Sequence, residues 1–200
     1  MASHIQPSIV SRPVYGRLKP VVAPAHLLVA DADGGDALVE LARSALAGFL
    51  QCAHICYLPS LIDRSREIEL LDAAGLYINS TMEATQSQFA DCLASMHMGT
   101  QIYLAGSESL IGLCMKTAME AGIDHSAIQT EHRGTLARRV QCAHCKGITE
   151  HVTTQPASCA HCGLLLHVRD HYSRRIAAFQ GVNINAEDPA DVDPGEELFK

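Results

Sequence analysis

From His26 to Glu131 short apolar runs alternate with stretches whose apolar residues recur every three to four positions. His26-Leu27-Leu28-Val29-Ala30 is an unbroken apolar run that ends in Asp31-Ala32-Asp33-Gly34-Gly35. Such a run bounded by turn residues predicts a buried strand. Asp36 to Leu50 then carries Leu38, Leu41, Ala42, Ala45, Leu46 and Phe49 at helical spacing. Cys52 to Leu58 predicts a second strand, stopped by Pro59. Arg64 to Ala74 predicts a helix, and Leu76-Tyr77-Ile78 a third strand. Glu83 to Met96 puts Phe89, Cys92, Leu93 and Met96 on one helical face. Gln101 to Ala105 is a fourth strand, and Ser107 can cap a helix that runs to Ala121 and ends at Gly122. Ala127 to Glu131 closes the series. Strands alternating with helices imply an α/β fold with a doubly wound parallel sheet and right-handed crossovers.

The flanks read differently. Residues 1–24 hold Pro7, Pro13, Pro20 and Pro24, which exclude a long helix. They predict an extended arm, free or packed on a partner. Residues 25–134 form the α/β domain. A linker read over Gly134 to Val140 leads into residues 138–180, which predict a small β-hairpin module built round two cysteine pairs, with Leu164–Val168 as its closing strand. Residues 186–200 read as a disordered acidic tail.

The cysteine pairs are the sharpest chemical signal. Cys142-Ala143-His144-Cys145 is followed, thirteen residues later, by Cys159-Ala160-His161-Cys162-Gly163. A CxxC turn aims two sulfurs the same way, and two such turns can complete one tetrahedral shell. Cys142, Cys145, Cys159 and Cys162 are therefore the expected metal ligands. Zinc suits a closed four-sulfur shell and would brace a module with little core of its own. A single rubredoxin-like iron, which would carry electrons, is the alternative. His144 and His161 are then surplus to the shell, and are expected exposed or bonded to a neighbour. His151, His167 and His171, with Arg169, Arg174 and Arg175, suggest either a docking face for an acidic partner or a solvated surface. Cys52, Cys56, Cys92 and Cys114 lie on apolar strands or helices and read as core. Ala105-Gly106-Ser107-Glu108-Ser109 lacks the second glycine of a nucleophile elbow, so Ser107 is a cap. No residue is assigned a catalytic role.

Composition narrows the classes. Apolar residues make up 48% of the 200, enough for a sizeable core, and no run approaches a membrane span of about 20 apolar residues. The first residues lack a signal-peptide core, so a cytoplasmic location is expected. Eight cysteines there point to metal and buried thiols rather than disulfides. A net charge of −7 and the absence of tryptophan speak against nucleic acid as a partner. Charge is nonetheless uneven. Arg138 to Arg175 holds six Lys/Arg against two Asp/Glu, and Glu187 to Glu197 six acids and no base.

Two resemblances add to this. Ile102-Tyr103-Leu104-Ala105-Gly106-Ser107, the helix ending Ala121-Gly122-Ile123, and Ile128-Gln129-Thr130-Glu131 resemble the end of the pyridine-nucleotide lobe in ferredoxin-reductase-type flavoenzymes. Leu27-Leu28-Val29-Ala30 and Ala53-His54-Ile55-Cys56-Tyr57 resemble that lobe's first two strands. The turn Asp31-Ala32-Asp33-Gly34-Gly35-Asp36-Ala37 departs from the family. It lacks the Thr-Pro, and its three carboxylates would repel a diphosphate. The lobe is therefore expected to be a scaffold without nucleotide.

Over nearly its whole length the chain resembles the small subunits of bacterial dimethylamine monooxygenases, haem-dependent oxidative N-demethylase complexes. The resemblance rests on Tyr15-Gly16-Arg17-Leu18-Lys19-Pro20, the lobe, Arg138-Arg139-Val140-Gln141-Cys142-Ala143-His144-Cys145, the second cysteine pair, Asp170-His171-Tyr172-Ser173 and Gly181-Val182. It implies a non-catalytic subunit, scaffolding or assisting electron transfer. The complex would be NADPH-dependent and turn dimethylamine into methylamine and formaldehyde. It also implies partners: a flavin and iron–sulfur reductase subunit, and a catalytic subunit with haem-type iron. Other readings remain open: a rubredoxin-like carrier or a pyridine-nucleotide-binding component of the same complex and, of another class, a nucleic-acid-binding zinc ribbon.

Overall fold

The computed structural model describes residues 11–184 and 195–200. Five parallel strands form the first sheet: β1 (His26–Asp31), β2 (Ala53–Leu58), β3 (Gly75–Ile78), β4 (Gln101–Gly106) and β5 (Ile128–His132), in the order β3-β2-β1-β4-β5. Side chains alternate across the central strands, and both faces are covered. Leu28, Ala30, Ile55, Tyr57 and Tyr103 meet Leu38 and Leu41 of α1 (Gly34–Ser44) and Ile68 of α2 (Ser65–Glu69). Leu27, Val29, Cys56, Ile102 and Leu104 meet Phe89 of α3 (Met82–Ser95) and Leu110, Cys114 and Ala118 of α4 (Glu108–Glu120). The doubly wound parallel sheet expected from the sequence is present.

Two helices are shorter than the periodicity predicts. The first stops at Ser44 rather than Leu50, because Ala45 turns extended and Gly48 takes a left-handed φ of 93°. The second covers Ser65–Glu69 rather than residues 64–74, and Asp72 has a φ of 51° as the chain turns up into β3. Ser107 caps α4 as expected, its side chain accepting from the Leu110 amide.

The arm packs on its own chain. Gly16 N–H donates to Thr130 O, and Leu18 N–H donates to the buried Glu131 carboxylate at 2.7 Å. Lys19 and Gln129 exchange two further bonds. These contacts cover the outer edge of β5, which would otherwise present unpaired backbone groups.

The second sheet has the order β7-β6-β11-β10-β9, from β6 (Arg138–Cys142), β7 (Ile148–Val152), β9 (Ala157–Ser158), β10 (Leu165–Ser173) and β11 (Ala178–Asn183). Here the sequence expectation needs three corrections. Residues 138–140 are strand rather than linker. The closing strand runs on to Ser173 and returns as β11, which lies parallel to β6. The end of the tail is also ordered: β12 (Glu196–Glu197) pairs with β8 (Thr154–Gln155), and Phe199 is buried. Residues 186–194, the rest of the expected disordered tail, lie outside the described residues, as do Asn185 and residues 1–10 of the arm.

Phe199 matters because of Arg138. The Arg138 guanidinium lies 4.1 Å from the centroids of both the Phe179 and Phe199 rings and donates to Asp170 at 2.7 Å. A buried cation is tolerable only with such partners. The sheet then docks on α4, where Tyr172 and Ala177 approach Gly112 so closely that a Cβ there would sit 2.2 Å from the tyrosine oxygen. Leu113 joins the same apolar cluster.

Candidate functional site

The two cysteine turns are built alike. Cys142 ends β6 and Cys159 follows β9, and both are buried; Cys145 and Cys162 are exposed. In the first turn Lys146 N–H donates to Cys142 O, and Cys142 N–H donates to Gly147 O. In the second, Gly163 N–H donates to Cys159 O, and Cys159 N–H donates to Leu164 O. Lys146 and Gly163, at matching positions, both take left-handed φ, 64° and 75°. Gly147 has no room for a Cβ, since the His161 ring lies against it.

This pairing brings the four sulfurs within 4.8 Å of one another. Cys142 Sγ and Cys162 Sγ are 3.8 Å apart, and Cys145 Sγ and Cys159 Sγ 3.7 Å. A disulfide would need about 2.05 Å. A tetrahedral ion with bonds of about 2.3 Å would set its sulfurs about 3.8 Å apart, so the residues fit a four-sulfur metal. Burial opposes charge on Cys159, but the amides of Cys162 and His161 outweigh it and hold that thiol near 6. On Cys162 the Leu164 amide favours the thiolate, yet burial and the adjoining sulfurs prevail and raise it to about 12. A cluster that gives up one proton readily and resists further negative charge is suited to a cation.

The histidines stay outside the shell. His144 and His161 are exposed, and His161 Nε2 bonds Ile148 O at 2.8 Å. His151, His167 and His171 are exposed and do not converge on a metal-sized cluster among the described residues. Cys56, Cys92 and Cys114 are buried in the core, whereas Cys52 sits half-exposed in a turn before β2 rather than on the strand.

The crevice at the carboxyl ends of β1 and β4 is where the strand order reverses, the usual ligand position in open α/β sheets. Here it is filled from within. The Asp31 carboxylate accepts from the Ser107 amide at 2.7 Å and from the Ser107 hydroxyl. It thus occupies the anion position at the start of α4. Gly106 has a φ of 120°, and a Cβ on it would lie 1.8 Å from Asp31 Oδ1. Burial pushes the Asp31 carboxyl above its ordinary range, against the opposing bonds from Ser107. Asp36 turns outward to Arg64, 2.7 Å away. The sequence flagged the three aspartates as one repulsive turn. It missed that Asp31 alone is internal, although an Asp ending one strand beside a Ser following its neighbour is the signal that carries this.

Two family models match this chain, over separate stretches. Residues 7–128 match the dimethylamine monooxygenase subunit DmmA-like N-terminal domain, and residues 139–182 the DmmA-like C-terminal domain. The chain belongs to the DmmA-like family. A curated relative, the heme-dependent oxidative N-demethylase delta subunit of Ectopseudomonas mendocina (strain ymp), is 30% identical over 99 residues. That match takes in 48% of this chain and 55% of the relative, so the chain spans about half the length of the curated relative it matches. Among solved structures, the flavohem-like FAD/NAD-binding domain of nitric oxide dioxygenase from Vibrio cholerae is 14% identical. It covers 58% of this chain and 54% of its own, with a TM-score of 0.39. Flavohemoglobin from Malassezia yamatoensis is 15% identical over 55% of this chain and 32% of its own, with a TM-score of 0.35. No helix among the described residues is long and apolar enough to cross a membrane.

Proposed function

We propose that this DmmA-like chain is a non-catalytic subunit of an NADPH-dependent oxidative N-demethylase that converts dimethylamine to methylamine and formaldehyde. Cys142, Cys145, Cys159 and Cys162 hold zinc, which stabilises the module and leaves no open position for chemistry. NADPH, flavin, iron–sulfur and haem-type iron belong to partners: a reductase subunit and an iron-containing catalytic subunit. Membership of the DmmA-like family supports the demethylase assignment, and the Asp31 carboxylate bound to Ser107 supports a lobe that works without nucleotide. A lobe whose crevice holds its own anion has no place for a dinucleotide diphosphate, so reductant must bind elsewhere in the complex.

Two experiments test the reading. Tagged chain, purified from cells growing on dimethylamine, should return a reductase and an iron protein in fixed ratio; recovery of the chain alone contradicts it. Calorimetry with NADPH should give no heat on the isolated chain, and micromolar binding contradicts the scaffold assignment. The exposure of Cys145 and Cys162 favours one second reading, a rubredoxin-like iron with a short route for an electron to a partner. A red-brown protein with one iron per chain would select it.

A further inference from the structure

The arm, α4 and the second sheet meet round a hollow. Val14 of the arm forms one wall, and Ile111 and Met115 of α4 another. Tyr172 of β10, Arg174 just after it and His125, in the turn before β5, close the rest. The volume is about 70 Å³, room for about two waters at their share of the liquid, roughly 30 Å³ each, or for one ligand of similar bulk.

The Tyr172 hydroxyl is the polar centre of this hollow. Tyr172 is 9% exposed, and its hydroxyl lies against Gly112, another lining residue. That hydroxyl has no hydrogen-bond partner among the described residues, yet it is not sealed in. The side-chain polar atoms there that are both unbonded and fully enclosed are His26 Nδ1 and Asn183 Oδ1. The hollow rimmed by Leu46, at the far end of β1, differs in this respect, since its unbonded atom is that enclosed His26 nitrogen. Burial, with the Glu108 carboxylate adding to it, pushes the Tyr172 hydroxyl up to about 12. Near pH 7 it therefore keeps its proton and donates. The charge round the hollow favours an anion as acceptor. Arg174 and His125 are exposed at its rim. The acids of the module, Glu150 and Asp170, are held by Arg139 and Arg138. Glu108, whose field reaches Tyr172, accepts from the Tyr15 hydroxyl at 2.8 Å and does not line the hollow.

We propose that this hollow binds a small aliphatic carboxylate, of acetate or propionate size, its oxygens taking hydrogen bonds from the Tyr172 hydroxyl and the Arg174 guanidinium and its alkyl end resting on Ile111 and Met115. An ionised carboxylate only accepts, which matches a rim that only donates. Bonds to a charged acceptor are also the stronger kind. The inference is independent of the demethylase reading, since it uses neither the cysteine cluster nor the Asp31 crevice.

Acetate, its neutral isostere acetamide and the bulkier benzoate are the probes. Each is titrated into the isotope-labelled full chain at pH 7 and constant ionic strength, and followed by amide chemical shifts. Acetate should saturate at concentrations on the order of millimolar, within the ceiling for so few atoms. Its shifts should be confined to Val14–Tyr15, Ile111–Met115, His125 and Tyr172–Arg174. Acetamide should bind about tenfold more weakly, the difference a charged acceptor makes, and benzoate should not saturate. Tyr172→Phe should weaken acetate about tenfold, the share of one hydrogen bond. The hydroxyl it removes bonds nothing among the described residues, so the fold should stand. Arg174→Gln, at an exposed side chain, should weaken acetate and leave acetamide unchanged. The proposal is overturned by acetate shifts that do not saturate or that fall elsewhere on the chain. Equal affinity for acetate and acetamide, benzoate saturating the same residues, or acetate binding unchanged in both variants overturns it too.

Discussion

Asp31 has a testable consequence for stability. Its ordinary value is 3.8, and burial raises it in the folded chain. A carboxyl with a raised folded pKa favours folding most when protonated, so its contribution is full below the unfolded value and falls as pH climbs through the folded one. Asp31→Asn removes the titration while keeping an oxygen for the Ser107 amide. The natural protein should therefore lose stability relative to Asp31→Asn as pH rises from about 4, measured as the difference in melting temperature across a pH series. A constant difference would mean that Asp31 does not titrate as the fold implies. Gly106→Ala should cost more than about 2 kcal/mol in urea denaturation, since a methyl there meets Asp31 and the backbone is left-handed. The glycine and the aspartate were each visible in the sequence. Their contact was not, because it joins residues 75 positions apart that only strand order makes neighbours.

At the scale of elements, the parallel sheet was legible because each central strand is covered on both faces and so reads as an unbroken apolar run. Helix lengths were less so. Leu46 and Phe49 continue the α1 periodicity, yet one serves the rim of a hollow and the other stacks on His26. The C-terminal strand escaped because its signal is a single phenylalanine in an acidic stretch, and its partner, Arg138, looks like a surface charge until the fold encloses it. Phe199→Ala should cost about 3 kcal/mol, read by denaturation of the full chain. It removes a buried ring and uncovers one face of the guanidinium. Gly112→Leu should drive Tyr172 off α4. Amide hydrogen exchange would then rise in β10 and β11 while β1 and β4 stay protected.

The whole molecule pairs a sheet with its own large core and a module that leans on α4 and on four sulfurs. The two parts should differ in their need for metal. Cys145→Ser breaks the shell at an exposed ligand and should add a low-temperature melting transition for the module, leaving that of the lobe in place. The cysteine spacing made the cluster plain in the sequence; the matching left-handed turns that aim it, at Lys146 and Gly163, were half hidden because one of them is not a glycine. X-ray absorption at the metal edge of the purified chain reads the shell directly. The account predicts one zinc per chain with four sulfur neighbours at about 2.3 Å. A nitrogen or oxygen in the first shell, or a chain free of metal that melts as the natural one does, would contradict it.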